Sequence, residues 1–221
     1  RGELPLWNPL SNCGAPFLAQ WGTMVLYPGS LIYLLLPLPW ALGFCSLLHL
    51  WLGGLGMFQL AERWTGHRLA ASLAGVAFVF NGVTLACLVW PNYPVALGWM
   101  PWVVLLTERA WRKGGRAIVL AALAGAMQLL SGAPELVLFT WLVLGVLFLA
   151  TCTEGSEFIF FTGDKHWKAP NFFAIGRLAG VTLLIAGLCA AQLLPFFELL
   201  SHSQRDASFA TAKWSLPAWG W

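Results

Sequence analysis

Charge is scarce in this sequence. Only 10% of its 221 residues are Asp, Glu, Lys or Arg, against roughly 25% in a soluble globular domain. Twelve Lys+Arg and nine Asp+Glu are too few to cover the surface of a soluble protein of this size. Disorder is excluded, because disordered chains are polar and poor in aromatics. Nucleic acid is not an expected partner: the net charge is +3, and no basic cluster alternates with exposed aromatics. No CxxC pair or Cys/His spacing points to a metal. Of the five cysteines, Cys45, Cys87 and Cys189 fall in apolar runs, Cys152 lies near a helix end, and only Cys13 lies in an outer loop, so no outer disulfide pair is expected. No internal repeat supports an inverted-repeat transporter. An initiating Met is also missing, since residue 1 is Arg. The chain therefore reads as an internal piece of a longer protein.

Hydrophobic residues make up 59% of the chain, with 14 Trp and 15 Phe. The fold expected is all-α: a polytopic transmembrane bundle of about six spanning helices. Six stretches carry that expectation, at 41–61, 69–89, 93–109, 116–132, 135–152 and 176–196. Pro94 and Pro101 predict a kink or break in the third. The run Leu31–Trp40, which contains Pro37 and Pro39, is too short to span and reads as an interfacial or re-entrant helix. Residues 1–40 form an outer loop, 41–196 the bundle with a cytoplasmic loop at about 153–175, and 197–221 a second outer loop.

Loop charges orient the bundle. Cytoplasmic loops of membrane proteins are enriched in Lys and Arg. With residues 1–40 outside, the inside holds Arg63, Arg68, Arg109, Arg112, Lys113, Arg116, Lys165, Lys168 and Arg177, nine of the twelve cations. Arg1, Arg205 and Lys213 remain outside. The location expected is a bacterial cytoplasmic membrane, with the lipid bilayer as a partner.

The membrane interior holds few polar groups: His49, Asn81, Gln128 and Gln192. No buried chain of acids and cations suits a proton or ion pump. His49, Gln128 and Gln192 read as hydrogen bonds between helices, and Ala117, Ala121 and Gly125 as a close-packing face. The unusual segments lie outside. Leu4-Pro5-Leu6-Trp7-Asn8-Pro9, Gly14 to Gln20 and Tyr27-Pro28 are rich in Pro, Gly, indole and amide. Their Trp residues suit interfacial anchoring, or a lid for sugar hydroxyls, which need neutral hydrogen bonds and a flat apolar face. The turns Trp90-Pro91-Asn92-Tyr93-Pro94 and Ser131-Gly132-Ala133-Pro134-Glu135 point to the same side. Glu135 complements a helix N-terminus and is also the candidate general base. Glu198 is a further candidate of that kind.

These residues resemble the YfhO family of bacterial membrane proteins, which are similar to GT-C membrane glycosyltransferases. The resemblance runs in order through Gly2-Glu3-Leu4-Pro5-Leu6-Trp7-Asn8-Pro9, Gly14-x-Pro16 with Ala19-Gln20, Leu26-Tyr27-Pro28, Leu48-His49-Leu50, Gly54-Leu55-Gly56-Met57, Pro91-Asn92 and Ala191-Gln192-Leu193-Leu194-Pro195. It covers nearly the whole chain. Where the family often has a Gly-His-Pro-Gln-like turn, this chain reads Gly132-Ala133-Pro134-Glu135. The resemblance implies transfer of a sugar from a polyprenyl-phosphate-linked donor to an envelope acceptor outside the membrane. Glu135 is then the catalytic candidate within the chain, with the main acid expected upstream of residue 1. Trp7, Asn8, Gln20, Tyr27, Asn92 and Arg205 are the candidate substrate-binding residues, Arg205 toward the lipid phosphate. No cofactor is expected in this segment, and nothing indicates a divalent metal. The competing reading is a non-catalytic membrane protein that assists export or assembly of an envelope polymer.

Overall fold

The computed structural model describes residues 6–10, 14–152 and 172–202. Glu3, Cys13, Lys165, Lys168, Arg205 and Lys213 lie outside the described residues, as do most of the expected cytoplasmic loop and nearly all of the last outer loop.

The described chain is nearly all helical. A minimal antiparallel hairpin opens it, with β1 (Trp7–Asn8) against β2 (Ala15–Pro16). The helices follow as α1 (Ile32–Leu35), α2 (Leu38–Thr65), α3 (Arg68–Phe80), α4 (Gly82–Ala86), α5 (Asn92–Lys113), α6 (Arg116–Leu130), α7 (Pro134–Cys152), α8 (Phe172–Leu188) and α9 (Ala190–Ser201). Three segments are long and apolar enough to cross a membrane: Leu38–Thr65, Arg68–Val89 and Pro134–Thr151. The pair α8–α9 would make a fourth if its two halves form one crossing.

Several expected boundaries move, for local reasons. The run Leu31–Trp40 is not one interfacial helix. A 3-10 turn at Pro28–Leu31 and α1 end at Leu36, which is extended at φ −121° and ψ 151°. A residue that precedes proline is pushed out of the helical region, and Leu36 precedes Pro37. Proline is well placed in the first turn of a helix, so α2 begins at Leu38 rather than 41. The stretch 69–89 is interrupted at Asn81. Its side chain accepts from Thr84 N at 2.9 Å and donates to Phe78 O at 2.7 Å, capping α4 and closing α3. The stretch 176–196 is not straight: α8 and α9 meet at 78° around Cys189. Conversely, α5 stays one helix through Pro101.

Helix α5 is the centre of the fold. It packs against α2, α6, α7 and α8, and Val95, Ala96, Val103 and Leu105 are fully buried. It is also among the least apolar of the long helices by sequence, because Glu108, Arg109, Arg112 and Lys113 fall in its last two turns. The outer helices shield it, so it needs no lipid-facing surface. Their outward faces carry the exposed apolar groups: Phe44, Leu47 and Trp51 on α2, Leu69, Leu73 and Val76 on α3, and Leu138, Leu142 and Val146 on α7. Contact between α2 and α5 is close at Gly98, where a Cβ would meet the His49 carbonyl oxygen at 2.7 Å. Trp102 Nε1 donates to Leu52 O across the same seam at 2.9 Å. The small-residue face of α6 packs as expected: Ala121 joins Val181 and Ile185 of α8, and Gly125 lies against Ile185. Gln128 Nε2 donates to Ala96 O and to Thr140 Oγ1, joining α5, α6 and α7.

Candidate functional site

The two ends of the bundle differ in charge. Alternating helices and short turns gather Arg63, Arg68, Arg109, Arg112, Lys113, Arg116 and Arg177 at one end. Glu108 is buried there, 3.6 Å from Arg63 and 2.7 Å from Arg112, and Trp64 Nε1 donates to it at 3.2 Å. Arg177 donates to the carbonyls of Trp111 and Arg112 at 3.0 and 2.9 Å, satisfying the open C-terminus of α5. At the opposite end the charged groups among the described residues are Glu135 and Glu198, both carboxylates.

The proline-rich N-terminal segment lies across that acidic end and is tied to it at several points. Gln192 Nε2 of α9 donates to Leu18 O at 2.7 Å. Trp21 Nε1 donates to Leu129 O at 2.8 Å, and its ring meets Phe196 edge-on at 4.8 Å. Tyr27 is buried, its hydroxyl 2.6 Å from His49 Nε2, and Trp99 Nε1 donates to the same hydroxyl at 2.9 Å. An indole N–H only donates, so the Tyr27 oxygen accepts from Trp99 and its own proton goes to His49. His49 then carries its proton on Nδ1, which donates to Cys45 O at 2.7 Å. Burial pushes the Tyr27 phenol up to about 12, with the Trp99 bond pulling the other way.

Between this segment and α9 lies an open groove of about 440 Å³, within the range typical of ligand sites. Leu18, Pro195 and Leu199 give it an apolar floor, and Trp7, Glu198 and His202 stand along it. The Trp7 indole is set by Gly14, where a Cβ would fall 2.7 Å from Cζ2 and 2.9 Å from Nε1. Gly14 sits at φ +110°, a region that side chains other than glycine's disfavour. Trp7 itself is 59% exposed. His202 Nδ1 lies 2.9 Å from the Glu198 carbonyl oxygen, one turn back on α9. A carbonyl oxygen only accepts, so in the neutral ring Nδ1 carries the proton and Nε2 is a bare acceptor. The Glu198 carboxylate makes no hydrogen bond or ion pair among the described residues.

The other sequence candidates are distributed around this end. Glu135 is exposed in the first turn of α7 and accepts from the Tyr93 hydroxyl at 3.4 Å. Asn8 Oδ1 accepts from Leu10 N at 3.0 Å within its own turn. The Gln20 side chain is exposed and makes no hydrogen bond among the described residues. Tyr27 is committed to His49, and Asn92 Nδ2 donates to Gly132 O at 2.9 Å. Arg205 lies outside the described residues. Of the candidates, Trp7 and Glu198 line the groove. Sequence reasoning passed over His202, whose signal was its position four residues after Glu198, on one helical face. Among the described residues no group of three or more His, Cys, Asp or Glu is placed to hold a metal ion. No protein-family model, curated protein or solved structure matches this chain.

Proposed function

We propose that this chain belongs to an integral membrane glycosyltransferase of GT-C-like, YfhO-type architecture. It moves a sugar from a polyprenyl-phosphate-linked donor to a cell-envelope acceptor. The observation that carries this reading is the groove at the acidic end, where the Trp7 indole, the Glu198 carboxylate, which has no partner among the described residues, and the His202 imidazole line one largely apolar space. Sugar recognition asks for that combination, since a pyranose has one apolar C–H face and a rim of hydroxyls. Glycosyl transfer also needs a base beside the acceptor hydroxyl, and Glu135 and Glu198 are the carboxylates at this end among the described residues. The reading carries the finer topology with it: six crossings, counting α5, α6 and the bent α8–α9 pair. Residues 1–40 lie outside a bacterial cytoplasmic membrane, because the cation-rich end then faces the cytoplasm.

A second reading, a non-catalytic partner in envelope polymer export or assembly, is favoured by one observation. Tyr27 and Asn92 direct their polar atoms to internal bonds rather than to the groove.

Transfer assays separate the two. Membranes containing the full-length protein receive a polyprenyl-phosphate carrying a radiolabelled hexose, and label is followed into envelope material. Transfer that falls about a hundredfold in Glu135→Gln or Glu198→Gln, the size expected of a lost general base, supports the transferase. Normal insertion with no transfer above membranes lacking the protein supports the export partner.

A further inference from the structure

We infer that the groove between the N-terminal hairpin and α9 is a subsite for a neutral saccharide, the acceptor side of the proposed transfer, and not for the phosphate-bearing donor. The inference rests on the transferase reading for its role, and on the groove's own chemistry for its occupant.

Three features identify that occupant. The first is charge. Glu198 lines the groove without a cationic partner among the described residues, and the seven described cations stand at the opposite end of the bundle. A phosphate placed here would be repelled by a like-charged carboxylate, whereas a neutral hydroxyl would donate to it.

The second is hydrogen-bond polarity. The Glu198 carboxylate is an acceptor, and Nδ1 of His202 is committed to the Glu198 carbonyl, so in the neutral ring Nε2 accepts as well. Ser201 Oγ donates to that same carbonyl at 2.8 Å. The groove therefore offers acceptors to a ligand that brings donors, as a polyol does.

The third is the aromatic wall. The ring of Trp7 rests on Gly14, which fixes its plane, and more than half of the residue remains open. An indole face packs well against the C–H face of a sugar ring. The floor of Leu18, Pro195 and Leu199 extends that apolar contact.

The test is direct binding to the full-length protein in lipid nanodiscs free of sugar-based detergent. The probes are maltose and N,N′-diacetylchitobiose, both neutral, and glucose 1-phosphate, an anion. Binding is read by saturation-transfer NMR and titration. At least one neutral disaccharide is expected to bind about tenfold or more tightly than glucose 1-phosphate, a factor read from the ratio of the two Kd values. Trp7→Ala and His202→Gln should each weaken the neutral probe about tenfold. Trp90→Ala, which removes another exposed indole at the same end, should leave it unchanged. Glu198→Gln, on an exposed helix position, should narrow the gap between neutral and anionic probes without affecting the fold. Failure of both neutral disaccharides to bind, tighter binding of the anion, or equal binding by the Trp7 and Trp90 variants overturns the subsite. Neutral binding without any sugar transfer keeps the subsite and removes the transferase. Transfer with binding indifferent to Trp7 and His202 does the reverse.

Discussion

The Tyr27 hydroxyl donates to His49 Nε2 at 2.6 Å, joining the outer segment to the middle of the first long helix. The bond is one link of a directed chain: Trp99 gives to Tyr27, Tyr27 to His49, and His49 to the Cys45 carbonyl. Every partner is fixed by what the next one lacks. The chain thus orients the outer segment, including the hairpin that shapes the groove, against α2 and α5.

Removing the hydroxyl leaves the buried His49 and the half-buried Trp99 without their partner, at about 1–3 kcal/mol for a buried unsatisfied group. Tyr27→Phe should therefore lower the thermal unfolding temperature in detergent or nanodiscs while keeping the helical circular-dichroism spectrum. His49→Ala should lower it as well. The double variant should cost less than the sum, because the two residues share one bond. Additive losses would show that the pair does not couple.

Alkaline titration gives a second handle on the same residue. The free tyrosine phenol titrates near 10, and in the folded protein burial pushes Tyr27 up to about 12. A raised acid contributes stability in full below the unfolded value and loses it as pH rises through the folded value. Tyr27 should thus remain a phenol at pH 10.5, and its contribution should fade between pH 10 and about 12. Absorbance at 295 nm against pH, wild type minus Tyr27→Phe, reports it. A Tyr27 signal that ionises near pH 10 in the folded protein would contradict its burial.

The cation-rich end carries its own prediction. Glu108 is 3% exposed, with Arg63, Arg112 and Trp64 around its carboxylate. Breaking a buried ion pair by removing one partner costs about 3–5 kcal/mol, because the cations left behind have no counter-charge. Glu108→Ala should therefore lower yield and thermal stability far more than Glu62→Ala, whose pair with Arg68 is exposed and worth little. Equal effects of the two would mean that Glu108 is not the organising charge of this end.

Much of the bundle was legible in sequence because it follows from local chemistry. Apolar length marked α2, α3 and α7, the spacing of Ala117, Ala121 and Gly125 marked the packing face of α6, and Gln128 marked a seam between helices, whereas His49 and Gln192, expected to bond between helices, bond the outer segment instead. What escaped depends on distant neighbours. Helix α5 looks like a poor span because hydropathy counts Glu108 and Arg112 as exposed to lipid, while the fold buries Glu108 against Arg63 and Trp64 of α2 and pairs Arg112 with it. The bend at Cys189 has no proline or glycine at its vertex, and the Gln192 bond to Leu18 that accompanies it reaches across 174 positions. The groove escaped for the same reason: Trp7 and His202 lie at opposite ends of the described chain, and neither signals the other.

Gly14 offers the sharpest separation of groove from bundle. Its φ of +110° and the Trp7 ring above it leave no room for a Cβ, which would fall 2.7 Å from Cζ2. Gly14→Ala must therefore strain the backbone or tilt the indole, and either displaces the wall of the groove. The hairpin that bears both residues contributes none of the buried groups around α5, so the bundle has no reason to soften. Gly14→Ala should weaken the neutral saccharide probe by about tenfold while changing the unfolding temperature little. Gly43→Ala, on α2 where a Cβ meets nothing within 4 Å, should alter neither property. A large loss of thermal stability in Gly14→Ala would instead make the hairpin part of what holds the helices together, with Trp7 acting as its anchor and not as a ligand wall.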